Sequence, residues 1–202
     1  RSLCRAKANL RPSIWYSEPP LPGSPAIDGC TNGTGFATDQ RGLPRVVGHY
    51  ADVGAVEANW TNVVVTTTND FGPNSLRDIL TYFPANSFVT FAANLSGQTI
   101  LLTNGLITLS STVTIDASSL SGGIRINGHT NSSGIFQASS GAVVLNSLTL
   151  TITNGSGLGI WKRSLGGTLT LNQCTLSGTT ANVILNDGTL TLNQCTVSGV
   201  VG

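Results

Sequence analysis

Apolar and polar residues alternate in short bursts along most of this chain. From Phe88 onward the segments FVTF, TILLT, LITLS, TVTI, IRIN and IFQA follow one another, each bounded by Gly, Asn or Ser. Alternation over four or five residues places the apolar side chains on one face, which is the pattern of half-buried strands. A different period appears once. Leu76, Ile79, Leu80 and Phe83 are spaced i, i+3, i+4, i+7, Ser75 stands three residues before Asp78 as in a capping box, and Pro84 follows. This predicts a short helix with one apolar face, ended by the proline.

The strand pattern repeats. Gly167–Gly178 reads GTLTLNQCTLSG and Gly188–Gly199 reads GTLTLNQCTVSG, identical except for Leu176 against Val197 and offset by 21 residues. A weaker copy, GAVVLNSLTLT, starts at Gly141, and STVTID from Ser111 matches the first strand with Asp116 in place of Asn. Each repeat holds three strand-like pieces, such as Thr168–Leu171, Cys174–Ser177 and Val183–Leu185, separated by Asn, Gly and Thr that favour tight corners. Successive copies then wind as coils, each lying about 4.8 Å above the last as parallel strands. Leu169 falls under Leu190, Leu171 under Leu192 and Leu176 under Val197, with Thr168 and Thr170 turned outward. The expected fold is all-β, a right-handed parallel β-helix of three-sided coils, the hexapeptide rhythm of the left-handed kind being absent.

At the corner of these coils, Asn146, Asn172 and Asn193 recur. Asparagine tolerates a left-handed backbone, and its amide can bond the amide one coil away, so a structural ladder is expected there. Cys174 and Cys195 recur one coil apart and read as inward-facing thiols; parallel stacking gives poor geometry for a disulfide between them.

Composition narrows the function classes. Only 9% of residues are charged, net charge is +1, and polarity is carried by 26 Thr, 21 Ser and 17 Asn. That balance offers nothing for nucleic acid or an anionic membrane surface to bind. With 40% hydrophobic residues a core is still available, so low charge does not mean disorder. No apolar run reaches the 18 residues that a spanning helix needs. The chain starts at Arg1 with no leader pattern, as a mature or excised segment would. The cysteines Cys4, Cys30, Cys174 and Cys195 lack CxxC spacing and His49 and His129 are far apart, so neither a zinc site nor another cofactor is expected.

Residues 1–20 match no pattern. Residues 21–60 form a distinct block, 61–84 read as the start and helical cover of the coil stack, and 85–202 as the β-helix. The block carries GSPAIDGC (Gly23–Cys30), TDQRGLPRVVG (Thr38–Gly48) and ADVGAVE (Ala51–Glu57). These three elements resemble the choice-of-anchor Q type of bacterial surface protein, as do VVVTTTNDFGPNSLRDIL (Val63–Leu80) and the coils. The resemblance implies a secreted or surface-displayed bacterial β-helix protein, mostly of unknown activity. In that family the GSPAID-to-Glu block closes a β-helix, whereas here it precedes one. The chain is then either a window across tandem modules, or a subunit whose N-terminal block completes the last coil of its neighbour.

Within the block, Asp28, Asp39, Arg41, Arg45, Asp52 and Glu57 concentrate charge. Asp28, Asp39 and Asp52 could gather round calcium, but the arginines compete for the same carboxylates, and an Arg–carboxylate network is the expected arrangement. Cys4 and Cys30 form a possible disulfide in an extracellular setting.

Catalysis finds little support. From Ile79 to Gly202 the only acids are Asp116 and Asp187, about three coils or roughly 14 Å apart. The bases are Arg125, Lys162 and Arg163, and a glycosidase pair of carboxylates needs a common cleft. Trp161, with Lys162 and Arg163, interrupts the repeat; as an insertion it is either a glycan contact or a covering loop. His129 is expected in an exposed turn. At the far end Leu190, Leu192, Val197, Val200 and Val201 would form an apolar strand edge with nothing to cover it. The expected function is an extracellular, non-catalytic structural protein, a β-helical fibre subunit or adhesin segment joining head to tail with itself. The alternative is a carbohydrate-binding stalk or a fragment of a polysaccharide-active β-helix protein.

Overall fold

The computed structural model describes residues 19–21, 24–30, 35–47, 50–58, 62–82, 85–128, 134–153, 159–163, 166–178 and 183–199. Within them the chain winds as a parallel β-helix with three sheets. The first sheet stacks β1 (Asn62–Val65), β2 (Ser87–Phe91), β5 (Val113–Asp116), β8 (Ala142–Asn146), β11 (Thr168–Asn172) and β14 (Thr189–Asn193). The second stacks β3 (Thr99–Leu101), β6 (Ile124–Asn127), β9 (Leu148–Ile152), β12 (Thr175–Gly178) and β15 (Thr196–Ser198). The third stacks β4 (Ile107–Leu109), β7 (Phe136–Ala138), β10 (Ile160–Lys162) and β13 (Ile184–Asn186). Every pairing within these sheets is parallel.

Register follows the repeat. Leu169 pairs with Leu190, Leu171 with Leu192 and Leu176 with Val197. The weaker copy aligns as the sequence alignment has it, Val143 beside Leu169 and Asn146 beside Asn172. Asp116 pairs with Asn146, which puts it in the asparagine column. The coil length varies: 21 residues separate Asn172 from Asn193, 26 separate Asn146 from Asn172, and 30 separate Thr112 from Ala142. The strands stay in register across coils of different length, so a strict period survives only in the shortest coils.

Alternation buries one face of each strand. In β11, Leu169 and Leu171 are buried while Thr168 is exposed, and β5, β8 and β9 behave the same way. The inward residues join in one core running the length of the stack, from Val63 to Val183. Glycine is needed where coils touch at a corner. Gly141 and Gly167 have φ of +71 and +72, and a Cβ on Gly167 would lie 2.1 Å from the carbonyl oxygen of Gly141.

The predicted helix, α1 (Leu76–Tyr82), packs on β1 and β4. Leu76 and Ile79 are fully buried and Leu80 packs beside them; Phe83 and Pro84 lie outside the described residues. The buried hydroxyl of Ser75 accepts the Asp78 N–H at 3.2 Å. A clasp the sequence did not suggest fixes this cover to the first full coil. The buried carboxylate of Asp70 accepts from Arg77 Nε, Thr103 N and Asn104 N at 2.7–2.8 Å, while Arg77 also donates to the carbonyls of Gly105 and Leu106. Burial opposes the charge of Asp70, but the Arg77 side chain and the two amides outweigh it and hold its pKa below the usual range.

Candidate functional site: an open coil edge and a buried charge cluster

The outer corner of the late coils carries the asparagine ladder. Asn172 Nδ2 donates to Asn146 Oδ1 at 2.8 Å, and Asn193 Nδ2 donates to Asn172 Oδ1 at 2.7 Å. The left-handed backbone is not at these asparagines, as the corner argument expected, but one residue later. Ser147, Gln173 and Gln194 have φ of 56, 54 and 53. The asparagine ends its strand in extended conformation, and this lets its amide lie flat against the amide of the next coil. Gln173 and Gln194 add a second rung, with Gln173 Nε2 donating to Gln194 Oε1 at 3.2 Å.

Past the left-handed residue the chain turns inward at a cysteine. The thiols of Cys174 and Cys195 are free, and each points at a carbonyl one coil below, that of Leu145 and that of Leu171 respectively, at 3.4 Å. Burial pushes the Cys174 thiol up to about 11. Cys195 is half-buried.

That last coil differs from those beneath it. Among the described residues β13, β14 and β15 are each paired on one side only. The inward positions that are below 2% exposed in β11 and β12 are open here, with Leu192 at 42% and Val197 at 44%. Leu190 and Cys195 are half-buried. These residues present an apolar rim bordered by unpaired strand edges. Val200 and Val201, the rest of the predicted edge, lie outside the described residues.

Trp161, Lys162 and Arg163 were expected to interrupt the repeat. Trp161 and Lys162 instead belong to β10, pairing in register with β7 below and β13 above. The coil is longer on either side of the strand, and that length had masked it. Trp161 faces outward, its Nε1–H donates to Asp187 Oδ2 at 2.9 Å, and the Arg163 guanidinium lies 5.2 Å from its ring centroid. Lys162 faces inward and is buried, with Nζ donating to the carbonyl of Gly166 at 2.8 Å. Asp116 ends β5 whereas Asp187 lies in the bend between β13 and β14, and Asp116 Oδ1 accepts the Ser118 N–H at its own corner.

The N-terminal block is built round buried charge. Arg45 Nη1 donates to Glu57 Oε2 at 2.5 Å, and Arg45 Nη2 donates to the carbonyls of Asp52 and Gly54. Asp52, itself fully buried, accepts the amides of Asp28 and Ala58, while Glu57 accepts those of Val47 and Asp52. Asp28 accepts the Tyr50 amide, and Asp39 takes Arg41 together with the amides of Leu43 and Glu57. The carboxylates thus replace missing strand partners for an irregular backbone. This is the expected Arg–carboxylate arrangement; among the described residues no group of three His, Cys, Asp or Glu side chains is placed to hold a metal ion. Burial raises Asp52, and burial together with the nearby Asp52 charge raises Glu57 to about 7. Burial also works against the charge of Asp39, but Arg41 and three amides outweigh it and lower its pKa.

Cys30 is disulfide-bonded. Cys4, its predicted partner, lies outside the described residues, as do His49 and His129. No helix among the described residues is long and apolar enough to cross a membrane. Comparison of the chain with protein-family models, with curated proteins and with solved structures finds no match in any of the three. The three motifs of the block therefore stand as a resemblance without a family assignment behind it.

Proposed function

We propose that this chain is a non-catalytic structural segment of a secreted or surface-displayed protein, a β-helix that extends by stacking head to tail with further copies of itself. The observation that carries the reading is the in-register stacking of near-identical coils, Leu171 on Leu192 and Leu176 on Val197, which is the geometry by which one coil templates the next. Low formal charge leaves little repulsion to prevent the same stacking between copies. A head-to-tail contact of this kind is heterologous and grows into filaments when its rotation does not close. The block at residues 21–60 supplies the covering surface in this account. The resemblance of its three motifs to choice-of-anchor Q proteins, where they finish a β-helix, supports that role and an extracellular location. The non-catalytic part of the reading draws support from Asp116 and Asp187, which sit at the end of β5 and in the bend after β13 and already accept hydrogen bonds from Ser118 and Trp161.

Negative-stain imaging over a range of concentrations tests the proposal. Elongated polymers are expected from the wild-type chain and dispersed particles from Leu192→Lys, whose charge blocks stacking while remaining solvated in the free chain. Deleting residues 1–58 should likewise disperse the polymers. Fibres that persist in both variants would overturn the mechanism.

A further inference from the structure

Among the described residues Cys174 and Cys195 are the free thiols, and the function proposed above makes no use of them. Their surroundings are copies of one another. Each follows a left-handed glutamine, Gln173 and Gln194 at φ of 54 and 53, and each precedes a residue paired with its counterpart, Thr175 on Thr196. The Cys174 sulfur lies 3.4 Å from the carbonyl oxygens of Leu145 and Asn172. The Cys195 sulfur lies 3.4 Å from those of Leu171 and Asn193. Leu145 pairs with Leu171 and Asn172 with Asn193, so each sulfur is held against the same pair of positions in its own coil and the coil below. The two sulfurs are therefore related by a step of one strand, about 4.8 Å. We propose that this thiol pair is a two-coordinate site for a soft cation that binds its ligands in a line, with the ion midway between the sulfurs.

Spacing selects the coordination. A linear bridge of two metal–sulfur bonds, each about 2.3 Å, spans about 4.6 Å, close to the strand step. The midpoint holds no protein atom, because one placed there would sit about 2.4 Å from both sulfurs, well inside van der Waals contact. The bridge closes with a shift of a few tenths of an ångström and needs no cavity.

Ligand type selects the ion. Thiolates favour soft ions, of which univalent copper and silver and divalent mercury take two ligands in a line. Among the described residues no third His, Cys, Asp or Glu completes the pair, so zinc meets half of the ligand set it needs. Burial raises the Cys174 thiol to about 11, against the Leu148 backbone, and the nearby Cys195 adds to the rise. Such a thiol keeps its proton in neutral solution and yields it to an ion that bonds sulfur strongly. On binding, two S–H bonds break, two metal–sulfur bonds form and two protons pass to water. A divalent ion leaves a neutral bridge, which the apolar core of Leu145, Leu171 and Leu176 accepts more readily than a charged one. The carbonyls that lose a thiol contact are not orphaned, since Asn172 and Asn193 already accept the amides of Ser147 and Gln173. Cys195 is half-buried and gives the ion its way in. The inference is independent of filament formation, because both ligands belong to one chain.

The test titrates the full chain, dilute and without added thiols, with mercuric nitrate and, for comparison, zinc nitrate. Native mass spectrometry should show one mercury per chain with loss of two protons, and X-ray absorption should show two sulfur neighbours at one distance. The thermal midpoint should rise with mercury and stay in place with zinc. Cys174→Ser and Cys195→Ala should each lose the two-sulfur signature and the rise in midpoint. The Cys195 variant, at the half-buried position, keeps the test open if the Cys174 variant fails to fold. The proposal is overturned if mercury does not bind, if zinc binds as tightly, if each thiol takes its own mercury, or if a folded single variant keeps the two-sulfur signature. A midpoint lowered by mercury would also overturn it, since that marks capture by the unfolded chain.

Discussion

Arg45 and Glu57 form an ion pair sealed inside the N-terminal block, Nη1 to Oε2 at 2.5 Å with each side chain 1% exposed. Glu57 is nonetheless raised to about 7, because burial and the neighbouring Asp52 oppose its charge more than Arg45 favours it. A carboxyl whose folded pKa lies above its unfolded value of 4.5 stabilises fully below that value, and the contribution is lost as pH rises through 7. Asp52 shifts in the same direction, while Asp39 is lowered and loses its contribution only below its ordinary range near 3.8. The block should therefore be most protected at about pH 4 to 4.5 and lose protection steadily from there towards pH 7. Amide protection over the described residues of the block, with the intrinsic base-catalysed rate at each pH divided out, should be greater at pH 5 than at pH 8, by up to about 3 kcal/mol of opening free energy. Glu57→Gln should flatten that dependence; an equal dependence in the variant would show that another group is responsible.

The asparagine ladder predicts an asymmetric substitution series. Asn172 both donates to Asn146 and accepts from Asn193. Asn172→Ala should cost about 1–2 kcal/mol in denaturant unfolding. Asn172→Asp should cost more at neutral pH, because it sets a carboxylate against the Asn146 oxygen, and part of that loss should return on acidification. Asn193→Ala, at the exposed end of the ladder, should cost less than either.

Glycine at the coil corner gives a second series. Gly123 and Gly167 have similar positive φ, but a Cβ on Gly123 meets nothing within 4 Å, whereas one on Gly167 collides with the Gly141 carbonyl. Gly123→Ala should cost about 1 kcal/mol, the backbone term alone. Gly167→Ala should cost clearly more, measured as the shift in denaturant midpoint. Equal losses would mean that the coils can part at that corner without penalty.

Much of the fold was legible because its information is local and repeated. GTLTLNQCT occurs twice at a spacing that admits a single stacking, and the register of Leu169 on Leu190 and Leu171 on Leu192 follows from it. Where coils lengthen, the signal fades. Ile160–Lys162 is a strand with an inward lysine, a residue type that argues against a core position until the Gly166 carbonyl that receives it is seen. The left-handed corner was assigned to asparagine on propensity, whereas the fold uses Gln173 there and spends the asparagine on the ladder. The block's charge network was recognisable from its composition, because arginines interleave with carboxylates, but complete burial of Arg45 and Glu57 was not.

Stacking at the terminal rim is tested most directly by thiol alkylation followed by peptide mapping. Cys174 is buried within the stack, with its thiol pushed up to about 11, and should stay unmodified throughout. Cys195 is half-buried on the last described coil, and should react readily in dilute protein. As the concentration rises, its labelling should slow severalfold in the wild-type chain and stay fast in Leu192→Lys. Labelling of Cys195 that is equally fast at every concentration in the wild-type chain would contradict the account.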